Sequence, residues 1–473
     1  ISILPLSSTM DYYKPPAGKP LLMYQLGTNN WQREGEFAPG SGILHQAHHA
    51  TFNAMDNVKC YSLYPSEKQS VPHEDPLVKV LKLNHPIPIC ESASPVSSYR
   101  WHSMDEPEFQ AYRDRLEKEV YDQMEAAEKE EGTNFSMAVA HHSFLNPLVM
   151  RSVLRKRKEQ GKPDCALVCF VHGTALKMYV HERDQDGAPG EFPKRFWPLM
   201  KDSKIFDSVY PGDGVQLCYA ISKQQVDAFL EIFPTFPKDN IRISPNGINQ
   251  EVFHPIEGAT IASVLGKYPI VRYDDPKEED PAKKKVATSI DTSNIKNVVI
   301  IVAKFAEWKR IPALLHAAAS FEKAIPGTAL VIVGTGPLEA QKKLQDLAHE
   351  TLKLKQCYFL GPQPQPVLAE LYTIASVGVF PSYKEPFGLV FVECMATGTP
   401  IIGAKSGGPK DFVTEDVGHL VDETDDIEEL GRRLDEQIQK AIKDDWKGSK
   451  GDACKKLVAE RFSVTKQCQE LLD

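Results

Sequence analysis

Short, nearly continuously apolar runs alternate with helix-patterned segments along this chain, and they do so twice. In the first half the apolar runs are "LLMYQL" (21–26), "VKCYSLY" (58–64), "LVKVLKL" (77–83), "FSMAVAHH" (135–142), "CALVCFVHG" (165–173), "VQLCYAIS" (215–222) and "IRISP" (241–245). Helical patterns fall between several of them, at 106–131, 145–159 and 223–232. Strands apolar along both faces must be covered on both faces, which calls for a parallel sheet with helices on each side. That is the doubly wound α/β class.

From Ile256 to Asn294 the alternation stops, and the charged stretch "YDDPKEEDPAKKK" reads as a linker or surface insertion. It then restarts, with strands predicted at 297–305, 329–334, 357–361, 377–382, 400–404 and 418–422. Helices fit 311–324, 337–352, 366–375, 388–397 and 424–444, and a last helix fits Lys455 to Leu472. The predicted organisation is a Rossmann-like domain over 1–255, a second over 256–447 with 256–294 as linker or insertion, and a C-terminal helical segment 448–473. Two such sheets are expected to face a cleft, with ligands at the C-terminal ends of the strands.

The bulk numbers narrow the function. Of 473 residues, 25% are charged and the formal net charge is −9, which speaks against a protein built to grip nucleic acid. No apolar run approaches the roughly 18 residues of a membrane span, and the N-terminus lacks the basic start and long apolar stretch of an intact signal peptide. Nine scattered cysteines, an odd number without a CxxC pair, fit reduced buried thiols and a cytoplasmic location.

The most informative stretch is "SYKEPFGLVFVECMATGTPIIGAKSGG" (382–408). Glu385 lies between a predicted strand and a predicted helix that begins near Gly388. The amides of Phe387, Gly388 and Leu389 at such a helix start form an anion site, which glycine lets a ligand approach closely. Glu385 beside an anion site makes sense if it accepts from sugar hydroxyls, and Glu393, further into the helix, suits a second pair such as those of a ribose. A paired-carboxylate hydrolase fits less well, because eight residues of helix rise about 12 Å against the roughly 5–9.5 Å of glycosidase pairs. Lys304 stands at the end of the strand at 297–305, and Lys309 follows it, a place where two cations suit a diphosphate. Gly334 and Gly336 make a further glycine turn after a strand.

This stretch resembles the donor-site signature of retaining glycosyltransferases of family GT4, which have the GT-B fold: two Rossmann-like domains facing a cleft, with a C-terminal helix crossing back to the first. Their E-x7-E motif matches Glu385 and Glu393. The resemblance implies that Glu385 binds the donor sugar and Glu393 the ribose, that the 387–389 amides meet sugar and phosphates, and that Lys304 and Lys309 hold the diphosphate. Lys304 stands where the family usually has Arg, keeping the charge but losing the planar fork. More weakly, "ISPNGINQEVFHP" (243–255) resembles the segment that ends the family's first domain.

The resemblance extends to the first half through anchor points. Gly42, with Ser41, falls where the family has a glycine-rich turn facing the donor phosphates. The rival reading makes Ser41 a plain helix N-cap. His141, at the end of "AVAHH", resembles the family's active-site histidine. His172 is expected to line the acceptor pocket, with Thr174 and Lys177 as weaker candidates. His45, His48 and His49 form an HxxHH set that lacks the further ligand a zinc site needs, so no metal is predicted and His45 is placed as a helix-face or acceptor contact. The expectation is a metal-independent, retaining hexosyltransferase that needs no cofactor. It would move sugar from a nucleotide-diphosphate donor, UDP before GDP or ADP, to an unidentified hydroxyl acceptor. A glycoside phosphorylase, a nucleotide-sugar epimerase or a non-catalytic binding protein on the same scaffold are the competing readings.

Overall fold

The structure, a computed structural model, describes residues 13–31, 40–67, 73–85, 87–88, 101, 104–173, 175–176, 179, 196–210, 213–272 and 285–472. The chain divides into two units, one made of 1–245 with 464–473 and the other of 246–463.

The first unit holds strands β1 (Leu21–Leu26), β2 (Val58–Ser66), β3 (Val78–Lys82), β4 (Phe135–His141), β5 (Ala166–Val171), β6 (Leu217–Ala220) and β7 (Ile241–Ile243). They form one sheet in the order β3-β2-β1-β4-β5-β6-β7, with every pair parallel. β1 and β5 are almost wholly buried along their length, as expected of strands covered on both faces. One face packs under the helices Glu106–Glu131 and Asn146–Glu159, which bury Phe109, Leu116, Val120, Leu148 and Val153. The first of these helices is fixed at its start by Asp105 and Glu108, which cap each other's backbone amides. Across the sheet the helix Gly40–Asn53 lies beside the C-terminal helix Val464–Leu472, where Phe52, Cys468 and Leu471 join Met23 and Phe170.

The second unit repeats the plan. Its strands are β10 (Asn297–Val302), β11 (Thr328–Val333), β12 (Cys357–Leu360), β13 (Val377–Phe380), β14 (Ile401–Ala404) and β15 (Gly418–Val421), in the parallel order β12-β11-β10-β13-β14-β15. In both sheets the strand order reverses once, between β1 and β4 and between β10 and β13. Neighbouring loops leave a doubly wound sheet in opposite directions at that point, opening a crevice beyond the carboxyl ends of the strands.

Three sequence expectations are corrected. The stretch 256–294, read as a linker or surface insertion without periodicity, has secondary structure of its own: it contains the short helix Ile261–Leu265 and an antiparallel hairpin of β8 (Pro269–Arg272) and β9 (Lys285–Ser289), with β8 against β12. Too short to show a period, these elements could not be read from polarity alone. The boundary at 255 moves to 245/246. The closing helix is two helices, Trp446–Arg461 and Val464–Leu472, and only the second belongs to the first unit. The break falls at Phe462 and Ser463 because that backbone turns aside to pair with Ile248. Trp446–Arg461 stays in the second unit through buried Trp446, Cys454 and Val458 and through Lys447, whose ammonium bonds Ala375 O (2.6 Å) and Thr399 Oγ1 (3.0 Å).

Candidate functional site

In the second unit, the residues singled out in sequence gather at the switch point between β10 and β13. Lys304 lies two residues past β10, and Lys309 five residues further on. Glu385 follows β13. The Lys309 ammonium donates to Glu385 Oε2 at 2.6 Å, and both side chains are largely buried. The sequence reading gave these two groups separate tasks, and the structure shows them paired with each other. Lys309 also sits over the Trp308 ring, 4.0 Å from its centroid. The loops that carry them are stitched together, since Tyr383 N donates to Trp308 O at 2.7 Å.

The predicted helix begins as expected. Gly388 has φ 95°, a left-handed conformation that suits glycine, and Leu389–Ala396 follows with no side chain capping its first amides among the described residues. Those are the amides that the sequence reading assigned to an anion, and an uncapped helix start has the polarity such a role needs. Gly407 (φ 75°) lets its chain lie against Glu385, since a Cβ there would stand 2.0 Å from Glu385 O. Gly408 N then donates to Glu385 O at 2.7 Å, and Lys384 N to Ser406 Oγ at 2.7 Å. The "KSGG" segment thus fixes the backbone of the first glutamate. Gly334 is set by packing: a Cβ there would meet Ala303 O at 1.9 Å, so the loops after β10 and β11 lie this close because residue 334 has no side chain. Phe387 is buried against Phe412 and Phe462, and it anchors the turn through its ring.

Glu393 is buried inside its helix, and burial pushes its carboxyl up to about 7. The ordinary value is 4.5, so between the two the folded protein holds a proton that the unfolded chain has released. Stability contributed by this group is therefore full below pH 4.5 and lost as pH rises through 7. Glu393→Gln, which keeps the neutral shape, should raise stability at pH 8 by about 3 kcal/mol, at 1.36 kcal/mol per pKa unit, and change little at pH 4.5. Melting curves of both proteins at the two pH values check this. Equal gains at both would mean that the carboxyl does not titrate in this window.

In the first unit, six histidines come together at the ends of β4 and β5 and on the helix Gly40–Asn53. His45 and His141 lie 4.6 Å apart by ring centroid, His48 and His141 5.8 Å, and His142 and His172 4.5 Å, while His49 is held by Ser62 (2.9 Å) and Asp75 (3.1 Å). The hydrogen bonds settle several tautomers. Trp31 Nε1 donates to His45 Nδ1 (2.9 Å), which puts the His45 proton on Nε2. Gln467 turns its amide nitrogen to the carbonyls of Ser244 and Pro245, so its oxygen accepts from His48 Nε2 (2.7 Å) and His48 Nδ1 is bare. Gln25 turns its nitrogen to Cys60, so its oxygen accepts from His141 Nε2 (3.2 Å) and His141 Nδ1 accepts from His172 Nε2 (3.2 Å). Both nitrogens of His141, the predicted active-site histidine, are therefore engaged inside its own unit. His45 Nε2, His48 Nδ1 and His142 Nδ1 are buried with no partner among the described residues.

Burial, with neighbouring imidazoles second, holds His45 and His141 well below the ordinary 6.5, and burial likewise depresses His172, with His142 the nearest like charge. Burial alone brings His48 and His142 down to about 4. Groups with depressed folded values stabilise above the unfolded value, and that stability is lost as pH falls from 6.5 to 4. The cost at pH 4 should be about 3 kcal/mol for each of these two rings. Melting temperatures should therefore fall steeply below pH 6.5, and a flat profile down to pH 4.5 would show that the rings already share a proton.

Gly42 and Ser41 lie inside the first turn of Gly40–Asn53 and not in a turn before it. A Cβ on Gly42 would stand 2.1 Å from Asn30 O, and Asn29 Nδ2 donates to Ser41 Oγ at 2.7 Å. Ser41 thus ties the loop after β1 from within the helix and does not stand at its N-cap position. Thr174 and Lys177 lie outside the described residues. Among the described residues no group of three or more His, Cys, Asp or Glu is arranged to hold a metal ion. Arg310, Tyr383 and Ser406 border this site, and sequence reasoning missed them. Only the two basic residues in succession, "KR" at 309–310, hinted at the first.

Two doubly wound units, one carrying this glycine-and-glutamate loop, define a GT-B architecture. Solved structures agree over nearly the full chain. Sucrose-phosphate synthase from Thermosynechococcus elongatus superposes with a TM-score of 0.62 at 18% identity, covering 95% of this chain and 97% of that one. HepE from Anabaena, in complex with UDP and glucose, gives 0.59 at 17% identity, covering 95% and 98%.

Residues 284–450 match the family model described as glycosyl transferases group 1, in agreement with the GT4-like signature. Among curated proteins, the D-inositol 3-phosphate glycosyltransferase of Acidothermus cellulolyticus is 31% identical over 209 residues, which is 42% of this chain and 41% of that protein. Proteins of the same name from other organisms also match over less than half of their own length.

Proposed function

We propose that this protein is a hexosyltransferase that takes sugar from a nucleotide-diphosphate donor, UDP-sugar first, and places it on an acceptor hydroxyl with retention and without a metal. The observation that carries the reading is the Lys309–Glu385 pair at the switch point of the second unit, beside the uncapped start of Leu389–Ala396. A cation and free amides suit a leaving diphosphate, and a carboxylate beside them suits sugar hydroxyls.

As the glycosidic C–O bond to phosphate lengthens, negative charge grows on the diphosphate. Lys309, Lys304 and the helix amides stabilise that charge from fixed positions. Glu385 orients the sugar ring, which lowers the entropic part of the barrier. The acceptor oxygen bonds to the anomeric carbon on the face the leaving group vacates, and its proton passes to the departing phosphate oxygen, so no protein nucleophile is used. Glu393 takes the ribose. The first unit takes the acceptor, with His172, His45 and Lys177 as the residues to probe. UDP is favoured because a protein of the same fold has been solved with UDP and glucose.

The test is a thermal-shift panel of UDP, GDP and ADP, followed by donor hydrolysis and acceptor screens with the preferred nucleotide. A rise in melting temperature with one nucleotide, and slow release of sugar from its hexose conjugate, are expected. Release of sugar 1-phosphate that depends on orthophosphate would make it a phosphorylase. Epimer formation without acceptor would make it an epimerase, and tight nucleotide binding with no turnover a binding protein.

A further inference from the structure

We propose that Arg310 is a positioning residue that ties three strand-end loops into one frame and so holds Lys309 against Glu385, an inference that rests on the donor-site reading above. Its backbone is the first sign. Arg310 has φ 49° and ψ 36°, the left-handed region, at the start of the helix Ile311–Ala324. A Cβ is crowded against the backbone in that region, and such strain persists only where the surroundings over-determine it.

The surroundings do so. The buried guanidinium donates to Glu423 Oε2 at 2.5 Å and lies 3.6 Å from Asp425 Oδ1, both on the loop after β15. It also stacks over the Tyr383 ring, 4.7 Å from the centroid, on the loop after β13. Glu423 is itself held, because Arg433 donates to Asp422 O (2.9 Å) and Glu423 O (3.3 Å), while its second carboxylate oxygen is buried without a partner among the described residues. Arg310 is thus the group that neutralises Glu423. The loops after β10, β13 and β15 meet on one side chain, and the residue before it carries the ammonium that reaches Glu385.

A planar fork that bonds a carboxylate in its plane and stacks on an aromatic ring through its face does what an ammonium cannot. Without the clamp, the 309–310 turn loses its two distant anchors. Lys309 would then regain freedom in a long side chain whose ordering is entropically costly. Lys384, next to Glu385, is also left-handed (φ 47°), so strain gathers on both sides of the ion pair.

The test compares Arg310→Gly, Arg310→Lys and Glu423→Gln with Lys309→Ala, reading kcat, donor KM, UDP affinity and melting temperature. Glycine is at ease at this φ, so Arg310→Gly should keep a melting temperature within a few degrees of the parent while kcat falls 10- to 100-fold and KM moves less than threefold. Arg310→Lys should recover little of the loss, because the fork and not the charge is needed. Should Arg310→Gly unfold, Glu423→Gln decides, with kcat expected to fall 3- to 10-fold at unchanged melting temperature. Parental kcat in Arg310→Gly, or in Glu423→Gln if that variant must decide, while Lys309→Ala is inactive overturns the positioning role and leaves the donor site standing. Parental kcat in Lys309→Ala overturns the donor site itself.

Discussion

Glu385→Gln should nearly abolish sugar transfer and yet leave UDP bound as tightly as before, or more tightly. The substitution keeps the shape of the side chain and removes its charge. If the carboxylate holds two sugar hydroxyls, each charged hydrogen bond contributes about 1.5–3 kcal/mol. Their loss should lower kcat/KM by roughly 100- to 10,000-fold at 1.4 kcal/mol per decade. The nucleotide responds differently. In the free protein the Lys309 ammonium is spent on Glu385 at 2.6 Å. A neutral amide no longer competes for it, so the diphosphate meets a less compensated cation. Calorimetric titration with UDP beside a transfer assay separates the two effects. Transfer and UDP affinity falling together would show that Glu385 supports the loop and does not read the sugar.

The second large effect is at the other end of the same bond. Lys309→Ala should lower transfer at least 1,000-fold and weaken UDP 10- to 100-fold, because the cation that faces the growing diphosphate charge is gone. It should also destabilise the fold, since truncating one partner of a buried pair leaves a desolvated carboxylate and costs about 3–5 kcal/mol. That penalty has a signature: adding Glu385→Gln to Lys309→Ala should restore most of the melting temperature and none of the activity. A double variant no more stable than Lys309→Ala would mean that the pair is too solvated to couple the two groups.

How far the site could be read from sequence follows from what each residue depends on. The placement of Glu385, Gly388 and Glu393 was legible because a strand, a turn and a helix follow one another within a few residues. Lys309 was legible for the same reason, one strand earlier. The 309–385 bond itself was not, since it joins residues 76 apart. Gly42 was placed in a turn but forms part of a helix, because helix starts in glycine-rich stretches have no distinctive pattern. The histidines were seen as separate motifs at 45–49, 141–142 and 172, and nothing in the spacing said that their rings would pack against one another.

The sequence by itself determined the two parallel sheets, the residue ranges of nearly all their strands and the helix start that follows Gly388. Those features follow from hydrophobic period and turn chemistry, which act over a handful of residues. Only the tertiary structure decided which charges neutralise one another, which imidazoles lose their protons to burial and why Arg310 tolerates a glycine's conformation. Desolvation and ion pairing depend on groups brought together across tens or hundreds of residues, and their energies exist only once the chain has closed around them.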